Sequence, residues 1–332
     1  MPNVFAASLT VNHPLVVRIT VRERLSHVHR AYKADVQGNL RLQLPKGWKS
    51  NPESAPFQFA KKDESRDFAF QLSCDKDAQS GSSIAEATVG SKVINTGRVL
   101  VDYPHISPQM IFPKAEMKLV RVDLKKVGSS IGYVMGSGDQ VPEILRQVGY
   151  RVTLLSDEQL NAGDFSGYDA IVVGIRAYNT RNILKSAHSK LMSYVENGGT
   201  VVVQYNTLQQ LVIESPGPYP LQIGRDRVSV EEAPVTFADS SHPLLSTPNK
   251  ITAADFDGWI QERGVNFAEK WDSHYQTPLS SNDPGETAKA GGLLYTRFGK
   301  GVFIYTSYSW FRELPAGVPG AIRLFVNLVS AR

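Results

Sequence analysis

From Leu15 to Val101 apolar and polar residues alternate with a period of two, as in Val17-Arg18-Ile19-Thr20-Val21, Leu40-Arg41-Leu42-Gln43-Leu44 and Phe68-Ala69-Phe70-Gln71-Leu72. Such alternation marks strands with one buried face. Turn chemistry at Gln37-Gly38-Asn39, Pro45-Lys46-Gly47, Asn51-Pro52 and Ser80-Gly81-Ser82 cuts the stretch into short strands. No segment of helical period interrupts them, so an antiparallel sandwich is expected over residues 1–105. Pro104, Pro108 and Pro113 stiffen the chain and remove ladder donors, which predicts a connector over 106–118.

Beyond 119 the rhythm becomes strand, loop, helix, strand. Ser130 to Met135 is apolar, Gly136-Ser137-Gly138-Asp139 is a tight loop, and apolar residues at 141, 144, 145 and 148 share one helical face. Strands are expected again at Arg151 to Leu155, Asp169 to Val173, Thr200 to Gln204 and Gly301 to Thr306. Helices are expected at Asp157 to Asn161, Asn182 to Glu196 and Pro319 to Leu328, with Asn197-Gly198-Gly199 closing the second. Alternating strands and helices imply crossovers and a mainly parallel sheet over 119–332. Residues 208–290 read as long loops with a few strands. The expected fold class is therefore α/β, with an N-terminal sandwich of immunoglobulin-like type ahead of the parallel sheet.

Composition changes little. Apolar residues form 42% and charged residues 20% of the 332 residues, an ordinary globular balance. The formal charge of +4 hints at nucleic acid, but Lys and Arg are scattered and never run beyond two, so no nucleic-acid partner is expected. No apolar run approaches the roughly 20 residues that span a bilayer, and none is expected to do so. Met1 to Leu9 shows no basic segment followed by a long apolar one, so no signal peptide is read. Cys74 is the single cysteine, which excludes an intrachain disulfide; it falls in the sandwich and reads as a small buried apolar residue.

Ligands of open parallel sheets sit outside the carboxyl ends of the strands. The candidate binding residues are therefore Ser137 and Asp139 after the first strand, and Arg176, Tyr178 and Asn179 after the third. Tyr205 and Asn206 follow the fourth, and Tyr308, Trp310, Arg312 and Glu313 follow the last. This polar and aromatic set suits a neutral or anionic polar ligand. Gly136-Ser137-Gly138, with Asp157 beyond it, resembles a dinucleotide loop, but the third glycine is replaced by Val141, so no cofactor is expected. No metal is expected either: His27 and His29 lack a third ligand, and Trp271-Asp272-Ser273-His274 with Asp283 and Glu286 reads as loop hydrogen bonding. The aromatic segment from Tyr305 to Pro315 reads in two ways. It is a stacking surface for a sugar or peptide, or a hydrophobic plug between the last strand and the closing helix with Arg312 and Glu313 paired locally.

The segments Ile131-Gly132-Tyr133-Val134-Met135-Gly136-Ser137-Gly138-Asp139-Gln140-Val141-Pro142, Tyr168 to Gly174, Arg176-Ala177-Tyr178-Asn179 and Tyr308-Ser309-Trp310-Phe311-Arg312-Glu313-Leu314-Pro315 carry a likeness. They resemble the C-terminal region of long bacterial PIG-L (LmbE-like) deacetylases, from about residue 100 onward. The resemblance implies an immunoglobulin-like module followed by a flavodoxin-like, class I glutamine-amidotransferase-like domain, in proteins that are often exported. The His-Pro-Asp-Asp metal motif of the family's zinc domain is absent: His13-Pro14 precedes Leu15, and His242-Pro243 precedes Leu244. In the amidotransferase-like comparison, Gln204, Tyr205 and Asn206 stand where the cysteine nucleophile would be, and the covalent thioester step has no attacking atom.

The expected function is that of a non-catalytic accessory region that binds carbohydrate or docks the family's deacetylase domain. The alternative is a divergent hydrolase using Asp139, Glu313 or a loop histidine as general base, which predicts at least one buried carboxylate of raised pKa in the cleft. A third reading is a spacer with no ligand, its cleft filled by Trp310 and Phe311.

Overall fold

In the computed structural model, residues 6–9, 15–22, 36–60, 64–97 and 99–332 are described, those of 6–22 and Ser65 by backbone alone. The expected histidine pair His27 and His29, and His13, lie outside them. The protein is of mixed α/β class and divides into two compact units, Met1–Val122 and Asp123–Arg332.

The first unit contains strands β1 (Ala6–Leu9), β2 (Leu15–Arg22), β3 (Val36–Gln43), β4 (Trp48–Asn51), β5 (Ser54–Phe59) and β6 (Ser65–Cys74). They are followed by β7 (Gly81–Val89), β8 (Lys92–Ile94), β9 (Val99–Val101), β10 (Gln109–Ile111) and β11 (Glu116–Arg121). One sheet runs β1-β11-β7-β3-β5 with β8 on β7, a second runs β2-β6-β4, and β9 pairs with β10. All these pairings are antiparallel except β1 on β11. Leu40, Leu42, Phe57 and Phe59 from the first sheet meet Phe70, Leu72 and Trp48 from the second in one core, which makes the unit a two-sheet sandwich. Cys74 ends β6 half-buried, its thiol pKa pushed up by burial.

Two local expectations give way here. Gln37-Gly38-Asn39 lies inside β3 and is not a turn. A Cβ on Gly38 would stand 2.2 Å from the Thr88 carbonyl oxygen, so this glycine serves a close approach of strands. The expected connector over 106–118 holds β10 and the start of β11, and the unit runs on to Val122. The three prolines that suggested it all fall between strands, where no ladder donor is needed.

In the second unit β12 (Ser130–Val134), α1 (Val141–Gln147), β13 (Arg151–Leu154), α2 (Asp157–Ala162), β14 (Ala170–Val173), α3 (Ala177–Thr180), α4 (Leu184–Glu196) and β15 (Thr200–Gln204) follow one another. Six short strands come next: β16 (Leu221–Ile223), β17 (Arg227–Val228), β18 (Val235–Phe237), β19 (Gly264–Val265), β20 (Ala268–Trp271) and β21 (Leu279–Ser281). The chain closes with β22 (Leu293–Phe298), β23 (Gly301–Thr306), α6 (Trp310–Glu313) and α7 (Pro319–Ser330), and α5 (Pro243–Ser246) lies within the irregular stretch. The main sheet has the order β13-β12-β14-β15-β23-β22, parallel throughout except for β22.

Ala170–Val173 and Thr200–Gln204 are buried at every position, as expected of strands covered on both faces. Ile171, Val173, Val201, Val203 and Phe303 share a core with Leu184, Ala187, Leu191 and Val195 of α4. The alternate residues Val172, Val202 and Ile304 are also fully buried, on the face where α7 packs on β14 and β15. No helix among the described residues is long and apolar enough to cross a membrane.

Candidate functional site

The loops after β12, β14, β15 and β23 leave the sheet at one end. Gly136 permits the first turn, because a Cβ there would lie 2.1 Å from the Ile175 carbonyl oxygen, and the Ser137 N–H donates to that same oxygen at 3.0 Å. Ser137 is exposed. Asp139 is not free for ligand: both of its oxygens lie 2.8 Å from the Tyr133 hydroxyl, and the Val141 N–H donates to Oδ1 at 3.0 Å. Burial raises its pKa, opposed by hydrogen bonds from Tyr133 and the backbone of Val141 and Ile175. Gln204 Nε2 donates to the same Tyr133 hydroxyl at 2.8 Å. Asp139 thus ties β12 to the strand ends. Asp139→Ala is expected to cost about 2–4 kcal/mol in denaturant unfolding, since it strips the acceptor from buried donors. A cost below about 1 kcal/mol would show the clamp to be idle.

After β14, Arg176 takes the left-handed conformation with φ 54°, and its N–H donates to the Tyr205 carbonyl at 2.8 Å. This geometry is uncommon for a residue with a Cβ. Tyr178 is fully buried, with its hydroxyl 2.9 Å from His188 Nδ1. Burial lowers the His188 pKa. The Tyr178 N–H donates to Asn206 Oδ1 at 3.0 Å, and Asn206 Nδ2 donates to the Gln204 carbonyl. Asn179 holds the loop after β15 by donating to the carbonyls of Thr207 and Gln209 and accepting from the Thr207 N–H. Tyr178, Asn179 and Asn206 are committed to one another's loops and present nothing to a ligand.

The segment after β23 resolves the two readings of its aromatic run residue by residue. Trp310 and Tyr308 are plug residues. Trp310 is wholly buried, its ring 5.4 Å from Trp259, 5.8 Å from Tyr308 and 5.5 Å from Phe325 of α7, and its indole N–H donates to Thr306 Oγ1 at 2.9 Å. Glu313 is also wholly buried; Oε2 accepts from the Ile260 N–H at 3.0 Å. Burial pushes its pKa up to about 8, and Arg263 and Arg312 pull it only partly back. Arg312 does not pair with Glu313. Its Nε lies 3.1 Å from Glu262 Oε1, and its guanidinium covers the Phe311 ring at 4.9 Å. Phe311 in turn lies 5.4 Å from Tyr205.

What remains at the surface is a half-buried group of Arg176, Tyr205, Phe311, Arg312 and Glu262, beside exposed Ser137. Burial raises the Tyr205 pKa, the Arg176 and Arg312 charges lower it, and Glu262 and Asp139 raise it again, so one phenol senses two cations and two carboxylates. Glu262 is delivered by β19: the Val265 N–H donates to the Ser307 carbonyl and the Ser309 N–H to that of Arg263, both at 3.0 Å. Sequence reasoning missed Glu262 and Arg263 because they stand in the irregular stretch; their one signal is a charged pair between Trp259 and Phe267. It also missed Tyr133, whose signal is a polar tip on an apolar strand, and named Gln204 only at the turn where a nucleophile would stand.

Buried polar groups are normally paired. Among the described residues the buried side-chain atoms without a hydrogen-bond partner are concentrated at this end of the sheet. Besides Ser83 Oγ and Arg121 Nε of the first unit, they are Arg176 Nε, Gln204 Oε1, Glu262 Oε1, Tyr308 Oη, Ser309 Oγ, Arg312 Nε and Glu313 Oε1. The Arg312–Glu262 contact is therefore an ion pair whose alignment falls short of a hydrogen bond.

Among the described residues no group of three or more His, Cys, Asp or Glu could hold a metal ion. Asp272 pairs with His274, Asp283 accepts from the N–H groups of Ser229 and Val230, and Glu286 pairs with Lys289. His242 caps α5, accepting from the Leu244 N–H.

No protein-family model matches the chain, and no curated protein matches it significantly. Among solved structures, it is similar to a GMP synthase component from Thermoplasma acidophilum, at 11% identity over 62% of this chain and 96% of that one, with a TM-score of 0.41. It is similar to PurLQS from Thermotoga maritima at 11% identity over 61% and 98% of the two chains, TM-score 0.41. A β-galactosidase from Rahnella sp. R3 gives 11% identity over 62% of this chain and 31% of that one, TM-score 0.38. At such identities and scores these likenesses say nothing of activity.

Proposed function

We propose that the chain is a non-catalytic accessory region of a PIG-L (LmbE-like) deacetylase that binds carbohydrate at the strand ends, built from an immunoglobulin-like sandwich and a class I glutamine-amidotransferase-like domain. The strand order of the second unit, with its second strand at the edge and the first beside it, supports a flavodoxin-like arrangement. Tyr205 follows β15, where the amidotransferase-like comparison requires a thiol, and the single cysteine lies in the other unit.

The observation that carries the reading is the half-buried pair Tyr205 and Phe311 flanked by Arg312 and Glu262. Aromatic faces take the C–H face of a sugar ring, while a guanidinium and a carboxylate take its hydroxyls. Titration calorimetry with amino sugars and neutral and acidic oligosaccharides is expected to find a binder, weakened about tenfold by Phe311→Ala through the loss of roughly 1.4 kcal/mol of stacking. Silence from the whole panel, or binding only to the separately expressed deacetylase domain, would reject it.

A second reading, hydrolysis with Glu313 as base, is favoured by the raised pKa of that carboxyl. Its complete burial favours the binding reading instead, because a general base must reach the proton it removes.

A further inference from the structure

Arg176 and Arg312 act on the same phenol, Tyr205, and the buried Nε–H of Arg176 meets no acceptor among the described residues. A buried donor left unpaired costs free energy comparable to a lost hydrogen bond. Two cations beside one half-exposed aromatic pair make a surface that favours an anionic group. Arg176 makes no ion pair among the described residues, and Arg312 meets Glu262 without the alignment of a hydrogen bond. The cation is also held in place against local preference. Arg176 adopts φ 54°, and Gln261, next to Glu262, adopts φ 66°. Residues with a Cβ keep such geometry only where the surroundings over-determine it, and such positions cluster at ligand-binding sites.

We propose that the carbohydrate taken at the strand ends is an acidic sugar, its carboxylate held by Arg176 and Arg312 and a ring hydroxyl donated to Glu262. This rests on the carbohydrate-binding reading and names the ligand class. A planar carboxylate matches the parallel N–H groups that a guanidinium presents at its outer edge. Glu262 Oε1 faces Arg312 Nε at 3.1 Å, and the carboxylate can accept a further donor, which a hydroxylated ring supplies and a simple carboxylic acid does not. The Tyr205 and Phe311 rings, 5.4 Å apart, provide the apolar contact beneath.

The test is calorimetric titration of the full chain with uronate oligosaccharides containing glucuronate, galacturonate or mannuronate, with their neutral counterparts, and with sulfated sugars. At low ionic strength at least one uronate is expected to bind ten times or more tighter than its neutral counterpart, with the advantage shrinking as salt is raised. Arg176→Gly is the decisive variant. Glycine accepts the left-handed backbone without strain, so the melting temperature is expected to hold while the uronate advantage falls tenfold or more. Arg176→Lys, which keeps the charge and loses the fork, is expected to fall between them.

Equal affinity for neutral and uronate sugars would overturn the acidic ligand and leave the carbohydrate reading standing. So would an Arg176→Gly protein that still prefers uronates. Tighter binding of sulfated sugars than of uronates would overturn the carboxylate. Silence from every sugar would overturn both readings together.

Discussion

Trp310→Ala is expected to destabilise the second unit by about 3–5 kcal/mol, the largest single-substitution loss expected for this chain. The side chain is wholly buried and its ring is surrounded by Trp259, Tyr308 and Phe325, so truncation removes apolar contact on several sides at once. The same change removes the indole N–H that Thr306 Oγ1 accepts at 2.9 Å, leaving that hydroxyl only its own donation to the Gly292 carbonyl. The aromatic walls belong to separate elements, and a cavity bounded by α7, β23 and the Trp259 segment has no single neighbour that can swing in to fill it. Trp310→Phe keeps most of the volume and loses the hydrogen bond; a cost of about 1–2 kcal/mol is expected. Denaturant unfolding followed by circular dichroism separates the two. If Trp310→Ala costs under about 1 kcal/mol, the ring is not the plug that joins the last strand to the closing helix.

The second large effect is a pH dependence. Burial raises the Glu313 carboxyl from 4.5 in the unfolded chain to about 8 in the folded protein. The folded state therefore holds this proton more tightly than the unfolded chain. Stability from this group is fully present below 4.5 and is lost as pH rises through about 8. Ionisation then places a charge beside the unpaired Oε1, with Arg263 and Arg312 as partial counter-charges. The loss is expected to reach a few kcal/mol between about pH 5 and pH 9. Glu313→Gln keeps an acceptor for the Ile260 N–H and cannot ionise, so its melting temperature is expected to change less over the same window and to exceed the parent's at the alkaline end. Parallel pH profiles for the two proteins would show that Glu313 titrates near the ordinary carboxylate range and has no such role.

Much of the parallel sheet was legible because its strands obey one rule. A strand covered on both faces must be apolar at every position, and Ala170 to Val173 and Thr200 to Gln204 announce themselves as continuous runs. The strands from β16 to β21 have two to four residues each and exist through tertiary pairing, so no period could mark them. In the sandwich the alternation placed the strands, but Gly38 looked like a turn and is a point of contact, a difference that only the position of Thr88 decides.

At the strand ends, the rule that ligands sit beyond the carboxyl termini found the right loops. It could not sort residues that face a ligand from residues that hold those loops together. Asp139, Asn179 and Asn206 are polar because they bind the backbone of the strand-end loops, Tyr178 because its hydroxyl meets His188, and Trp310 is aromatic because it fills a core. Arg176, Tyr205 and Arg312 carry the same chemistry in the sequence, and only burial distinguishes them.

The unpaired polar atoms gathered at one end of the sheet bear on how the protein could be engineered. Stability is most readily gained where buried groups are unsatisfied, by apolar replacements that need no partner. For the second unit that strategy would select the strand-end residues first, Arg176 and Glu313 among them. A screen for heat resistance alone would then draw substitutions into and beneath the surface proposed for a ligand, and hardened variants of this chain would test that proposal.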